Sequence, residues 1–197
     1  MFKTVRNYLS LVKFSHTVFA LPFAAIGYTL GAIQPGNHPD VWLFLKVILC
    51  MILARTAAMA FNRWADREID SKNERTKIRE IPSGTISAKA ALTLVILSSV
   101  LFMLTTYFIN SICFYLSPVA LLVILGYSYT KRFTWLCHIV LGIGLSLAPI
   151  GAYLAVTGVF DWLPLLFSFT VLTWVGGFDV IYALQDEGFD KSEQLHS

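Results

Sequence analysis

Apolar residues run along this chain in long unbroken stretches, not in the three-and-four spacing of a helix with one wet face, and polar residues gather in the short gaps between. Six stretches stand out, at 14–33, 41–61, 90–109, 112–129, 137–157 and 163–183. Each is close to the ~20 residues that cross the hydrocarbon core of a bilayer. Membrane strands would instead alternate over ~10 residues, and lipid requires every backbone N–H and C=O to be satisfied inside the segment. The pattern predicts an all-α, polytopic transmembrane bundle forming one membrane-embedded domain over 1–197, with Pro22, Pro118 and Pro149 kinking three of its six helices.

Composition agrees: 56% of residues are apolar and 14% charged, and the mean hydropathy is +0.67, which excludes an ordinary soluble domain. The net charge is +3, and where the basic residues sit matters more than their sum. Lys3, Arg6 and Lys13 precede the first span, seven Lys and Arg lie between Arg63 and Lys89, and Lys131 and Arg132 follow the fourth span. Loops 34–40, 110–111 and 158–162 hold none. The positive-inside rule then puts the basic loops and both ends of this chain on the cytoplasmic side of a bacterial inner membrane, with Trp42 and Trp162 at the outer interface. Nothing in this distribution suits nucleic acid. The first apolar run lacks a small-residue cleavage site and reads as a retained span. Cys50, Cys113 and Cys137 match neither a disulfide framework nor a metal motif. Gly27 and Gly31 form a GxxxG suited to close helix packing, within the monomer or between copies.

The chemistry collects at two helix ends. The second span runs into Asn62-Arg63-Trp64-Ala65-Asp66-Arg67-Glu68-Ile69-Asp70, where Asn62, Asp66 and Asp70 recur every four residues and share a helix face. Two carboxylates and an amide stacked this way suit a hard cation such as Mg²⁺ that keeps waters and binds phosphate. The competing reading is a solvated helix end neutralised by Arg63 and Arg67. The sixth span repeats the theme with Asp179, Tyr182, Asp186 and Asp190. Asp179 lies at the membrane boundary, where an unpartnered carboxylate costs ~2.5–3.5 kcal/mol. Spans 2 and 6 both run inward, so the topology brings the two acidic clusters to one face.

These residues carry a resemblance. Asn62, Asp66 and Asp70 fill an NxxxDxxxD, and Tyr182, Ala183, Asp186 and Asp190 fill a later YAxxDxxxD, with Asp179 at the acid that precedes the Tyr. Asn73-Glu74-Arg75-Thr76, Arg79-Glu80-Ile81-Pro82-Ser83-Gly84 and Lys131-Arg132-Phe133-Thr134 follow in order. The chain resembles the UbiA superfamily of intramembrane prenyltransferases along its whole length. The resemblance implies nine helices, of which six are present, so a fragment or a truncated reading frame is expected. Arg63 stands where many members place a second Asp, and its position off the Asn62–Asp66–Asp70 face predicts little harm to metal binding.

The resemblance implies transfer of a polyprenyl group from an allylic diphosphate to an aromatic acid of the 4-hydroxybenzoate kind, on the route to ubiquinone or menaquinone. Asn62, Asp66, Asp70, Asp179, Asp186 and Asp190 are then the Mg²⁺ ligands, with Asp66, Asp70, Asp186 and Asp190 central to catalysis. Arg67, Lys131, Arg132 and Tyr182 are the diphosphate contacts expected from their place beside the acids, with Arg75, Lys77 and Arg79 as further basic candidates. Arg55, seven residues before Asn62 and inside the membrane, suits either the acceptor's carboxylate or a pairing with the acids, and Tyr129 an aromatic face near the acceptor. His16 suits either an acceptor contact or an interhelical hydrogen bond. The Arg79-Glu80-Ile81-Pro82 stretch leans toward a 1,4-dihydroxy-6-naphthoate acceptor, and haem- and chlorophyll-prenylating relatives share the metal motifs. A membrane carrier lined by Asp and Arg is a second class, and an inactive remnant a third. Chain length of the prenyl group and oligomeric state are not legible.

Overall fold

The computed structural model describes residues 2–196, with the side chains of Phe2, Lys3, His16 and Phe19 excepted. The expectation for His16 therefore lies outside the described residues. The chain is helical throughout: α1 (Phe2–Leu11), α2 (Phe14–Ala32), α3 (Val41–Ala65), α4 (Arg67–Lys72), α5 (Ala88–Tyr107), α6 (Ser111–Thr130), α7 (Cys137–Thr157), α8 (Trp162–Ala183), a 3₁₀ turn (Leu184–Asp186) and α9 (Glu187–Ser192). Each of the six predicted spans coincides with one helix. Among the described residues α3, α5, α6, α7 and the α8 segment are long and apolar enough to cross a membrane, while the apolar part of α2 credited by the same measure is Ala20–Ala32.

Helices α2, α3, α5, α6 and α7 pack in a ring, and α8 lies against α7 at its edge. Small residues set the spacing. A methyl group placed on Gly27 would stand 2.0 Å from the Pro149 carbonyl oxygen, and one on Gly31 would stand 2.8 Å from the Val156 Cβ. Ascending numbers on α2 meet ascending numbers on α7, so the two run parallel, and the GxxxG is used within the monomer. Gly142 serves α7 and α8 likewise, its added methyl meeting the Leu172 carbonyl oxygen at 2.6 Å.

The polar groups of the helix starts are satisfied locally. Asp40 accepts from the Trp42 amide at 2.8 Å, Asn110 from the Cys113 amide at 2.9 Å, and Asp161 from the Trp162 amide at 2.5 Å. Each side chain caps free N–H groups that lipid could not. Tyr28 fixes the turn between α2 and α3, its hydroxyl donating to the Asp40 carbonyl at 2.6 Å and accepting from the Asp40 amide at 2.7 Å. Trp42 and Trp162 are exposed at this end, and the Lys46 ammonium reaches the Phe108 carbonyl at 3.1 Å. At the opposite end Leu11, Ala60, Ile86, Ala91 and Val95 close a core that seats α1 over the ends of α3 and α5.

Candidate active site

Helix α3 stops at Asp66, which has left helical geometry (φ −92°, ψ 3°), and α4 resumes one residue later. The four-residue rhythm survives the break because the Asp66 amide still donates to the Asn62 carbonyl at 2.9 Å and the Asp70 amide to the Asp66 carbonyl at 2.7 Å. Asn62, Asp66 and Asp70 thus stay on successive turns, as their spacing predicts. Asp66 and Asp70 are 2% and 4% exposed, and a carboxylate so buried needs a cation.

Each has one. Lys131, at the end of α6, donates to Asp66 Oδ2 at 2.7 Å, and the Asn62 amide donates to the same oxygen at 3.1 Å. Arg132 stands 3.6 Å from Asp66 Oδ1 and donates to the Ala65 carbonyl at 2.7 Å. Arg79 donates to Asp70 Oδ1 at 2.7 Å. Burial pushes the Asp66 carboxyl above the ordinary aspartate range, against the pull of the Lys131 ammonium.

The second acidic segment bends as the first does. Asp179 and Tyr182 sit on α8, Asp186 on the 3₁₀ turn and Asp190 on α9. Arg75 grips Asp186 with both Nε, at 3.0 Å, and Nη2, while Asn73 donates to its Oδ1 at 3.1 Å. Lys72 pairs with Glu193 at 2.5 Å, and the His196 amide donates to the Lys131 carbonyl at 2.8 Å. Residues 72–75 therefore join the two acid-bearing ends on one face of the bundle. Asp190 is buried on α9.

Other sequence candidates find different neighbours. Asp179 is held by His138 of α7, Nδ1 to Oδ2 at 2.8 Å, a partner with no signal in spacing. Arg67 donates to the Trp64 carbonyl at 2.8 Å, lies over the Trp64 ring and pairs with Glu68, with no hydrogen bond to Asp66 or Asp70 among the described residues. Tyr129 packs edge-on against Phe61, with the Arg132 guanidinium 5.0 Å from its ring centre. Tyr182 takes the Arg75 guanidinium at 5.9 Å. Arg63 is buried. Beside Lys131 on Asp66, it is Arg79 that grips Asp70 and Arg75 with Asn73 that grip Asp186. Of these the sequence marked Arg75 and Arg79 as basic candidates and Asn73 as part of a loop motif.

Inside the ring lies an apolar cavity of about 330 Å³, walled by all five ring helices. Arg55 and Tyr127 are its conspicuous polar members, and Cys50 and Cys113 also face it. Tyr127 lines the cavity from the last turn of α6, just before Lys131, which holds Asp66. Asp66 Oδ1 and Asp70 Oδ2 are buried without a hydrogen-bond donor. These spare hard-oxygen lone pairs fit Mg²⁺ chemistry. Among the described residues, no three His, Cys, Asp or Glu side chains are gathered tightly enough to hold a metal in this arrangement.

A ring of apolar helices, an interior cavity and paired acidic helix ends meshed with basic loops define a polytopic membrane protein with a charged site at one end of an apolar chamber. The chain belongs to the UbiA prenyltransferase family, whose sequence profile matches residues 20–197. It is 32% identical over 177 residues to the 4-hydroxybenzoate octaprenyltransferase of Vesicomyosocius okutanii, covering 88% of this chain and 60% of that one. It is 36% identical over 148 residues to the enzyme of that name from Nitrosomonas eutropha, covering 75% and 52%. A UbiA homolog from Aeropyrum pernix K1 superposes with a TM-score of 0.83 at 32% identity, over 92% of this chain and 67% of that one. A UbiA homolog from Archaeoglobus fulgidus, solved with GPP and Mg²⁺, shares the fold at TM-score 0.73 and 20% identity, over 96% and 67%. The chain thus spans about 60% of the length of the octaprenyltransferase from Vesicomyosocius okutanii.

Proposed function

We propose that the chain acts in transfer of a polyprenyl group from an allylic diphosphate to an aromatic acid of the 4-hydroxybenzoate type, within quinone biosynthesis. The observation that carries this reading is the joining of the two acidic helix ends by Asn73 and Arg75, on a helix ring whose apolar cavity is lined by Arg55. The names of the relatives and the ligands of the Archaeoglobus fulgidus homolog support it. We further propose that α2 crosses the bilayer beside α7, its parallel neighbour, and that the acid-bearing end faces the cytoplasm, as the basic loops imply.

In this reading Asn62, Asp66, Asp70, Asp186 and Asp190 hold Mg²⁺, which supplies Lewis-acid withdrawal of charge from the diphosphate oxygens. Lys131, Arg75 and Arg79 exchange their carboxylate partners for phosphate oxygens as the substrate enters, and Arg132 and Tyr182 flank it. Ring faces such as Tyr129 stabilise positive charge on the allylic carbon, and the apolar cavity takes the prenyl tail and excludes water. Arg55 fixes the acceptor's carboxylate, turning the ring toward that carbon. A carbon–carbon bond replaces the broken carbon–oxygen bond, with pyrophosphate and the ring proton as by-products.

The test is direct. The full chain, in detergent or bilayer discs, is incubated with labelled allylic diphosphate, Mg²⁺ and either 4-hydroxybenzoate or 1,4-dihydroxy-6-naphthoate. Prenylated acceptor is expected, and is lost with Asp66→Ala or Asp186→Ala. No product with either acceptor defeats the reading.

A further inference from the structure

Two guanidinium groups, Arg55 in the cavity and Arg63 at the end of α3, have a buried Nε without a partner and make no ion pair among the described residues. Arg63 is 5% exposed, and its Nε is buried without a partner. The groups within its electrostatic reach are Asp70, Arg79, Glu80 and Tyr127. Neither acid forms an ion pair with Arg63 among the described residues: Asp70 Oδ1 takes Arg79 at 2.7 Å, Asp70 Oδ2 is buried without a donor, and Glu80 Oε1 takes the Ser10 hydroxyl at 2.5 Å. Arg63 itself makes no ion pair or hydrogen bond among the described residues. A guanidinium carries five donors and cannot shed its charge, so burying one with nearby carboxylates but no hydrogen-bonded anion leaves its donors unsatisfied, at a cost that an arriving anion removes.

Its position says which anion. Arg63 directly follows Asn62 and lies three residues before Asp66, at the polar end of α3. The last α3 residue lining the cavity is Ala58, and Asp66 ends the helix. Along α3, Arg63 therefore lies between the chamber and the acids. A monoanionic aromatic acid bound by Arg55 lies deeper, eight residues back along α3. An anion at Arg63 has its charge beside Asp66 and Asp70 and its apolar part in the chamber, which describes the head of an allylic diphosphate.

We infer that Arg63 is a diphosphate ligand: a fixed cation at the first acidic helix end, binding phosphate oxygens in the place an acidic side chain would otherwise give to a metal ion. The inference rests on the reading that this site takes a diphosphate. A guanidinium fork at that point lowers the divalent-ion concentration needed to hold the head group.

The experiment measures binding, not turnover. The full chain in detergent is titrated with inorganic pyrophosphate at several fixed Mg²⁺ concentrations, reading tryptophan fluorescence, and the ligand-free melting temperature is measured in parallel. Arg63→Ala is expected to weaken pyrophosphate binding roughly tenfold to a hundredfold, as loss of a charge-assisted hydrogen bond does. It should also raise the Mg²⁺ needed for half-saturation, with Arg63→Lys intermediate. Arg63→Met should melt at or above the wild-type temperature without ligand, because it removes a buried unpaired charge. A structural arginine would do the reverse. Pyrophosphate binding by Arg63→Ala and Arg63→Lys equal to wild type overturns this inference alone. A wild-type chain that binds no pyrophosphate with Mg²⁺ present overturns the diphosphate reading and this inference with it.

Discussion

Asn73 donates from Nδ2 to Asp186 Oδ1 at 3.1 Å, linking the residue that closes α4 to the turn that closes α8. Its own Oδ1 accepts the Arg75 amide at 2.9 Å, which aims Arg75 at the same carboxylate. Two acid-bearing segments more than a hundred residues apart in sequence are thus set against each other by one amide side chain and the guanidinium it positions. Asn73→Ala removes both hydrogen bonds of a buried group and should cost about 1–3 kcal/mol, with faster tryptic cleavage at Lys77 and Arg79. Thermal unfolding and cleavage rates identical to wild type would show that the joint is incidental.

Asp66 gives a pH signature. Its carboxyl is raised above the ordinary value of 3.8, burial being the larger cause and Lys131 the opposing one. An acid whose folded-state pKa is raised binds more protons folded than unfolded, so its contribution to stability falls as pH rises. The window opens at the ordinary value and extends upward to the raised one. Asp66→Asn has no such linkage. The melting temperature of wild type minus that of Asp66→Asn should therefore become more negative as pH rises from the ordinary aspartate value of 3.8. A difference independent of pH across that range would contradict the burial argument.

The spans were legible because lipid imposes one requirement, a continuous apolar length, and a local sequence window reads it well. Helix ends from Val41 to Ala183 fall within a few residues of the expected ones. The acidic residues were legible too, since a four-residue rhythm places Asn62, Asp66 and Asp70 on one face even where the helix breaks. Partners were not. Nothing local in sequence says that His138 meets Asp179, 41 residues on, or that Arg67 turns back onto Trp64. Those pairings depend on how helices pack and on where a long side chain finds its nearest carbonyl or ring. Arg63 is the clearest case: its helical phase takes it off the acid face, yet it is buried in the fold.

His138 and Asp179 form an ion pair or neutral hydrogen bond at 2.8 Å between α7 and α8. The imidazole is largely buried. His138→Ala leaves Asp179 without that donor at the membrane edge, where polar groups are poorly served by lipid. A loss of about 1–3 kcal/mol is expected, with partial recovery in His138→Gln, whose amide can still donate. Thermal unfolding in detergent checks it, and equal destabilisation by Ala and Gln would show that volume, not the hydrogen bond, is what the site needs.

The α2–α7 seam offers a test of packing free of any charge. At Gly27 an added methyl would stand 2.0 Å from the Pro149 oxygen and 2.7 Å from its carbonyl carbon, both backbone atoms that cannot rotate away. The two helices must separate, and overpacking of this kind costs ~1–3 kcal/mol. Gly151 on α7 has no atom within 4 Å of the same construction, so Gly151→Ala removes a flexible residue from a helix interior and should be neutral or slightly stabilising. Side-by-side melting of Gly27→Ala and Gly151→Ala isolates the contact from any general effect of alanine in a membrane helix. A seam used between copies would respond differently, since Gly27→Ala would then shift the elution volume of the detergent complex while leaving the monomer's melting temperature unchanged. The expected result is a lowered melting temperature at unchanged elution volume.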